Sequence, residues 1–163
     1  MNLIIRKAES EDLEAIVDIY NSTIATRKVT ADIEAVSVES RLHWFGRHTK
    51  KRPLFVIEDD KNVLGWVSFE DFYGRPAYQI TAEVSIYIRA GCRRMGLGEK
   101  LLRHAISEAL QLKLERLVAF IFAENQPSLK LFQKYGFVHW GKLPQVAKME
   151  GHYHDLCILG LVI

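Results

Sequence analysis

The chain has 163 residues, about the size of one domain, and 48% of them are hydrophobic, enough for a sizeable core. A net charge of +2 gives no electrostatic case for a nucleic acid or a membrane surface as partner. No apolar run approaches ~18 residues and the N-terminus lacks a signal-peptide layout, so no membrane segment is expected. Cys92 and Cys157, without a C-x-x-C pair, predict a reduced protein of the cytoplasm.

The first half of the chain predicts a strand, two helices and a β-hairpin. Ser10 is expected to cap the first helix, in which apolar residues recur at helical spacing from Leu13 to Tyr20. The second helix is expected at residues 38–45. The strands are expected at residues 3–6, 53–58 and 63–69, the last two joined by a polar turn at 59–62.

The stretch from Thr81 to Leu102 predicts a strand, a tight turn and a helix. Side chains alternate along a strand, so this strand has one apolar face and one polar face. The apolar face suits the core. The polar face carries the carboxylate of Glu83, which suits a wet cleft.

The turn after this strand reads Arg93-Arg94-Met95-Gly96-Leu97-Gly98. Its glycines allow a ligand to approach the backbone, and the following helix offers free N–H groups and the positive end of its dipole. The sequence therefore predicts a phosphate-bearing ligand here. The turn is neither a Rossmann fingerprint, because the third glycine position holds Leu101, nor a P-loop, because G-x-x-x-x-G-K-[ST] is absent.

The second half of the chain alternates helices and strands. An apolar stripe predicts that the helix after the turn continues to Ala109, and Asn125 is expected to open the last helix. Strands are expected at residues 117–122, 137–140 and 153–161. The order β-α-α-β-β-β-α-β-α-β-β predicts one α/β domain over residues 1–163, with helices on both sides of a mixed sheet. No set of metal ligands is complete, so no metal is expected.

Arg93-x-x-Gly96-x-Gly98 fits the pattern [RQ]-x-x-G-x-[GA], the coenzyme A pyrophosphate signature of the GCN5-related N-acetyltransferases, and the chain resembles this superfamily along nearly its whole length. Three stretches, "IYNSTIA", "FYGRPAY" and "TAEVSIYI", resemble the phosphinothricin N-acetyltransferase subfamily of Bacillus type. The resemblance implies a mixed, mostly antiparallel central sheet with helices on both faces. It also implies acetyl transfer from acetyl-CoA to the α-amine of phosphinothricin, methionine sulfoximine or methionine sulfone, and a homodimer.

A protonated amine cannot attack a thioester, so the reaction needs a group that takes the proton. Glu83 is the best candidate for this general base, directly or through a water, and the resemblance points to the same residue. Partial desolvation in a cleft is expected to raise its pKa into a useful range. The alternative is a structural carboxylate held in an ion pair.

The resemblance implies that acetyl-CoA is bound largely by main-chain groups. A splay after the key strand admits the pantetheine arm, and a backbone N–H polarises the thioester carbonyl. Asn125 is expected to bond the pantetheine, with a helix N-cap as a compatible alternative. The residues expected to bind the cofactor are Ser85, Ile86, Tyr87, Ile88, Arg93, Arg94, Met95, Gly96, Leu97, Gly98, Asn125 and Ser128.

For the acceptor, the planar fork of Arg75 suits a carboxylate or phosphinate, with Tyr78 beside it. The alternative for both is a surface loop. Asn21 is expected in the wall of the acceptor pocket, with a plain helix terminus as its alternative.

One position departs from the family pattern. Many members carry a Tyr that protonates the leaving thiolate seven residues after the Asn, where this chain has Phe132. Either no acid is needed or another residue serves. Two other functions stay open: acetylation of a protein N-terminus or lysine, and a coenzyme A sensor without turnover. No nucleic acid or membrane partner is expected.

Overall fold

The computed structural model describes residues 1–163 and contains seven strands and four helices in the predicted order. Their bounds are β1 Leu3–Lys7, α1 Leu13–Ile24, α2 Val38–Gly46, β2 Leu54–Asp59, β3 Asn62–Asp71, β4 Thr81–Ile88, α3 Leu97–Gln111, β5 Arg116–Phe122, α4 Gln126–Lys134, β6 Val138–Met149 and β7 His152–Val162. The predicted α/β class is confirmed. None of the helices has the length and apolar character needed to cross a membrane.

All seven strands form one sheet in the order β1-β2-β3-β4-β5-β7-β6. Every neighbouring pair is antiparallel except β4 and β5, which are parallel because α3 returns the chain across the sheet. The β4–β5 pairing covers only Thr81–Arg116, Ala82–Leu117 and Glu83–Val118. Beyond Glu83 the two strands diverge, and the middle of the sheet opens.

Side chains alternate along each strand, so the sheet has an apolar surface on both faces, and helices cover both. In β2, Phe55 and Ile57 join the larger core, which also holds the buried residues of α3. Val56 lies on the opposite face, in a smaller core with Ile16 and Ile19 of α1. The sheet therefore separates two apolar layers, and the predicted arrangement of helices on both faces is confirmed.

The start of α1 differs from the prediction. Ser10 does not cap the helix, because its hydroxyl bonds Glu11. Instead Asp12 accepts the Glu9 N–H at 2.7 Å and two bonds from Arg6, at 2.7 and 2.9 Å. Neither side chain caps α1 itself, because the bonds of Asp12 reach back to Glu9 and Arg6.

The last hairpin is also longer than predicted. Strand β6 continues to Met149, and β7 pairs with it along most of its length. Its side chains are mostly exposed, so the apolar pattern that reveals a buried strand is missing there.

Candidate active site

Three pairs of side chains on β3 and β4 form the floor of a cavity. Because the strands pair in antiparallel register, residues directly opposite each other share a face. The pairs on this face are Trp66–Tyr87, Ser68–Ser85 and Glu70–Glu83. The floor thus changes from aromatic through hydroxyl to carboxylate over about 13 Å of strand, at roughly 3.3 Å per residue.

The cavity has a volume of about 170 Å³ and lies between this floor and the helices α1 and α2. Seven of its twelve lining residues are hydrophobic. The lining consists of Ile16, Val17, Tyr20, Val36, Arg41, Trp44, Trp66, Ser68, Glu70, Glu83, Ser85 and Tyr87. Mostly apolar walls with a few polar groups are typical of a site for a small molecule.

Glu83 lies at the acidic end of the cavity with its carboxylate partly buried. Burial raises the pKa of Glu83 from its ordinary 4.5 to about 7, and the negative charge of Glu70 adds to the rise. The carboxylate has no hydrogen-bond or ion-pair partner within the chain that would favour its charged form. A carboxyl group with this pKa can accept a proton near neutral pH.

The opposite end of the cavity is aromatic. Tyr87 stacks on Trp66 with ring centroids 4.4 Å apart, and Tyr20 packs against Tyr87 at 5.2 Å. Trp44 of α2 closes the wall against Trp66 at 5.4 Å. The guanidinium of Arg41 lies 4.8 Å from the centre of the Tyr20 ring. Arg41 is the only basic residue in the cavity lining.

A second, narrower opening lies where β4 and β5 diverge. Past Glu83, β4 has no strand partner on this edge. The backbone N–H and C=O groups between Val84 and Ile88 that point away from β3 are therefore available to a ligand. Ser85, Ile86 and Tyr87 line the opening, and Asn125 and Ser128 of α4 lie across from them. Ser85 and Tyr87 also line the larger cavity, so the two openings adjoin.

The turn before α3 presents free backbone donors. Gly96 has φ +75°, a left-handed conformation that glycine adopts without strain, and open space surrounds it. The first helical bond runs from Lys100 N–H to Gly96 C=O, so the N–H groups before Lys100 have no intrahelical partner. Arg93 and Arg94 lie exposed beside them. The donors, the dipole and the two guanidinium groups fit a pyrophosphate.

The other members of this turn have different environments. Leu97 is 1% exposed and belongs to the core, so only its backbone can face a ligand. Gly98 is small for packing, because a Cβ there would lie 3.2 Å from the side chain of Leu131 on α4. Met95 is 42% exposed on the turn. The two positions therefore require glycine for different reasons, Gly96 for its positive φ and Gly98 for its close packing against Leu131.

Asn125 is the N-cap of α4, as its alternative role predicts. Its Oδ1 accepts a bond from the Ser128 N–H at 3.3 Å. Phe132, on the same helix, is 2% exposed, lines the narrow opening and packs on Phe137 at 4.9 Å between ring centroids. Tyr135 donates its hydroxyl proton to Glu99 and does not line either opening.

The three residues predicted for the acceptor are not in the cavity lining of this chain. Arg75 and Tyr78 lie exposed on the loop between β3 and β4. Asn21 instead fixes the backbone of Val36, which lines the cavity. Its side-chain amide exchanges two hydrogen bonds of 2.9 Å with the N–H and C=O of Val36. The structure therefore brings Glu83, Ser85 and Tyr87 together in one cavity, and places Asn125 and Ser128 at the adjoining opening. It leaves Arg75 and Tyr78 outside the lining.

Sequence reasoning missed Glu70 and Arg41. The sequence predicts a strand close to Glu70, next to the strand that carries Glu83. It does not predict the register between β3 and β4, which places Glu70 directly opposite Glu83. Arg41 lies on a helix whose residues are all at least partly exposed, so nothing distinguishes it from a solvated charge.

These features define a class of enzyme. Diverging parallel strands beside a helix that begins at an arginine- and glycine-bearing turn accommodate a coenzyme A thioester. The model of the Acetyltransferase (GNAT) family matches residues 13–137, and the chain belongs to this family. It is an acetyl-CoA-dependent N-acetyltransferase.

Individual relatives match along almost the full chain. "Putative phosphinothricin acetyltransferase YwnH" of Bacillus subtilis is 57% identical over 157 residues, which cover 96% of each chain. The L-methionine sulfoximine/L-methionine sulfone acetyltransferase of Salmonella typhimurium is 32% identical, over 96% of this chain and 92% of its own. The structure of yncA from Salmonella typhimurium with its cofactor acetyl-CoA has a TM-score of 0.92 at 31% identity, covering 99% of this chain and 94% of that one.

Proposed function

We propose that the protein acetylates the α-amine of a small amino-acid-like acceptor of the phosphinothricin, methionine sulfoximine or methionine sulfone type. One observation carries the proposal: the partly buried carboxylate of Glu83 lies where a small, mostly apolar cavity adjoins the opening between β4 and β5. A volume of about 170 Å³ suits an amino acid better than a peptide. The names of the relatives from Bacillus and Salmonella support the same acceptor class.

Glu83 acts as the general base in this proposal. Bound acetyl-CoA supplies the acetyl thioester. Glu83 takes one proton from the acceptor ammonium, directly or through a water, which frees the nitrogen lone pair. The N–C bond then forms, the C–S bond breaks, and the second proton of the nitrogen passes to the leaving thiolate or to solvent. The Glu83 pKa of about 7 leaves a useful fraction ionised at neutral pH, yet keeps the carboxylate basic enough to hold the proton. The thiolate leaves with its electron pair, and a thiol pKa near ~8.5 makes it a fair leaving group without a Tyr at Phe132.

The cofactor residues have three roles in the proposal. The free backbone edge of Ser85, Ile86, Tyr87 and Ile88 binds the pantetheine arm and the thioester carbonyl. The turn from Arg93 to Gly98 binds the pyrophosphate at the start of α3. Asn125 and Ser128, across the opening, bond the pantetheine through groups that the cap leaves free.

The test measures free-thiol release from acetyl-CoA with L-phosphinothricin, methionine sulfone, methionine sulfoximine, ordinary amino acids and short peptides. We expect saturable turnover on the first three. Glu83→Gln should reduce kcat by roughly 10²- to 10⁴-fold and leave the acetyl-CoA Kd unchanged. Turnover on peptides alone would overturn the acceptor class. Tight acetyl-CoA binding without any turnover would favour a sensor.

We also propose a cytoplasmic homodimer. β6 is an edge strand, and Val138, Trp140, Leu143 and Val146 on it are 42–55% exposed, an apolar surface that a second copy can cover. Cys92 and Cys157 are unpaired thiols, which fits a reducing compartment. Light scattering should give twice the chain mass of 18.8 kDa, and a monomer at micromolar concentration would contradict the dimer.

A further inference from the structure

The cavity is electrostatically polarised along its floor. Glu70 and Glu83 lie at one end, and the guanidinium of Arg41 lies at the aromatic end, beside Tyr20 and Trp44. The two ends are about four residues apart along β4. A ligand that complements this arrangement carries a cation at one end and an anion at the other, with a short neutral segment between them.

Arg41 is fixed by one hydrogen bond and keeps other N–H donors free. One of its terminal nitrogens, Nη2, donates to Asp32 at 2.9 Å, and Asp32 also accepts the hydroxyl proton of Tyr20. This fixes the guanidinium against the aromatic wall. No hydrogen bond within the chain uses Nε or Nη1, and the side chain is 26% exposed. A planar fork with free donors inside a cavity can bind a carboxylate or phosphinate through two bonds.

The other arginines near the cavity are less suited to this role. Arg47 is already paired with Glu70 at 3.2 Å and is 58% exposed. Arg75 lies outside the lining in this chain. Arg41 is therefore the one guanidinium that reaches the cavity from the chain's own elements.

We propose that Arg41 binds the phosphinate at the far end of a phosphinothricin-type acceptor, while Glu70 and Glu83 receive the amino group. The α-carboxylate shares its carbon with the amine and therefore cannot span the two ends of the cavity. This inference rests on the proposed function and assigns the residue that favours an acceptor with a distal anion over one without it. The aromatic wall of Trp44, Trp66 and Tyr87 packs on the neutral part between the two charges.

The test compares wild type with Arg41→Gln on three acceptors that lose their acidic groups stepwise. L-Phosphinothricin carries a carboxylate and a phosphinate, L-methionine sulfone a carboxylate only, and 3-(methylsulfonyl)propylamine neither. We expect Arg41→Gln to lower kcat/KM roughly 30- to 100-fold on phosphinothricin, mainly through KM, and less than about 3-fold on the sulfone and the amine. Arg103→Gln, an exposed arginine on α3, is the matched control.

The outcomes separate the two proposals. A loss confined to phosphinothricin supports the contact between Arg41 and the phosphinate, and an equal loss on phosphinothricin and the sulfone overturns it. An equal loss on all three acceptors, or a loss with Arg75→Gln but not with Arg41→Gln, overturns the role of Arg41 and leaves the proposed function intact. If wild type acetylates none of the amino acids, the proposed function fails and this inference falls with it.

Arg41→Lys keeps the experiment decisive if the glutamine variant does not fold. Lysine retains the charge but lacks the fork, so we expect an intermediate loss, about 5- to 10-fold, on phosphinothricin only. The melting temperature and the acetyl-CoA Kd should match those of wild type. A Kd that rises together with KM would indicate a structural role and overturn the assignment.

Discussion

Glu70→Gln tests how the cavity tunes its proposed base. The substitution removes the negative charge opposite Glu83 and keeps the shape of the side chain. The pKa of Glu83 rises from 4.5 to about 7, with burial as the larger cause and Glu70 as the smaller. Glu70 therefore accounts for less than half of the rise, and its removal should lower the pKa of Glu83 by about 1, to near 6.

The sign of the effect on rate follows from the role of a base. Only ionised Glu83 accepts a proton, so kcat/KM falls below its pKa. At pH 6, roughly one tenth of the wild-type carboxyl groups are ionised, against roughly half in Glu70→Gln. Relative to its own plateau at pH 8.5, the variant should therefore be about 5-fold more active than wild type at pH 6.

The assay is kcat/KM for one acceptor from pH 5 to 9, with acetyl-CoA saturating. The same acceptor is used for both enzymes, so the titration of its amine cancels in the comparison. Glu83→Gln serves as the control. It should lose most of the rate, and its remaining kcat/KM should no longer fall toward low pH. If the fall in kcat/KM stays centred near pH 7 in Glu70→Gln, or persists in Glu83→Gln, Glu83 is not the group that titrates.

Three further predictions concern the fold around the site. Gly96→Ala should cost about 1 kcal/mol of stability and raise the acetyl-CoA Kd about 10-fold, because φ +75° is strained for alanine; calorimetry measures both, and a wild-type Kd would contradict it. Gly160→Ala should lower the free energy of unfolding by at least about 2 kcal/mol in urea, since its Cβ would meet the Trp140 ring at 2.0 Å, and adding Trp140→Leu should restore most of the loss. Asp12→Asn should destabilise by about 2 kcal/mol at pH 7, because Arg6 lowers the pKa of Asp12. This stabilisation is present above the ordinary value of 3.8 and is lost as the pH falls through the lowered pKa, where the urea midpoints of the two proteins should converge.

The sequence predicts the parts of the site that depend on local pattern. Alternation along β4 puts Glu83 on the polar face, and the turn from Arg93 to Gly98 carries its anion-binding character in its own residues. The order of all eleven elements is also readable, because each has its own hydrophobic period or cap. Where these signals are weak, as along exposed β6, the predicted bounds are too short.

The residues that sequence reasoning missed reach the cavity through long-range packing. Glu70 faces Glu83 because β3 and β4 pair in one register out of several, and a shift of one residue would turn it to the other face. Arg41 enters because α2 docks over α1 and the aromatic wall, although none of the residues of α2 is fully buried.

The sequence by itself determined the family, the order of the elements, the polar strand with Glu83 and the anion-binding turn, because these depend on residues close together in the chain. Only the tertiary structure decided at which residue β4 and β5 part, that Glu70 lies opposite Glu83 and adds to the effect of burial on its pKa, and that Arg41 and not Arg75 reaches the cavity of the chain. The physical reason is that strand register, strand divergence and helix docking are set by packing between segments distant in sequence, and no local pattern encodes the charge that such packing brings opposite a given side chain.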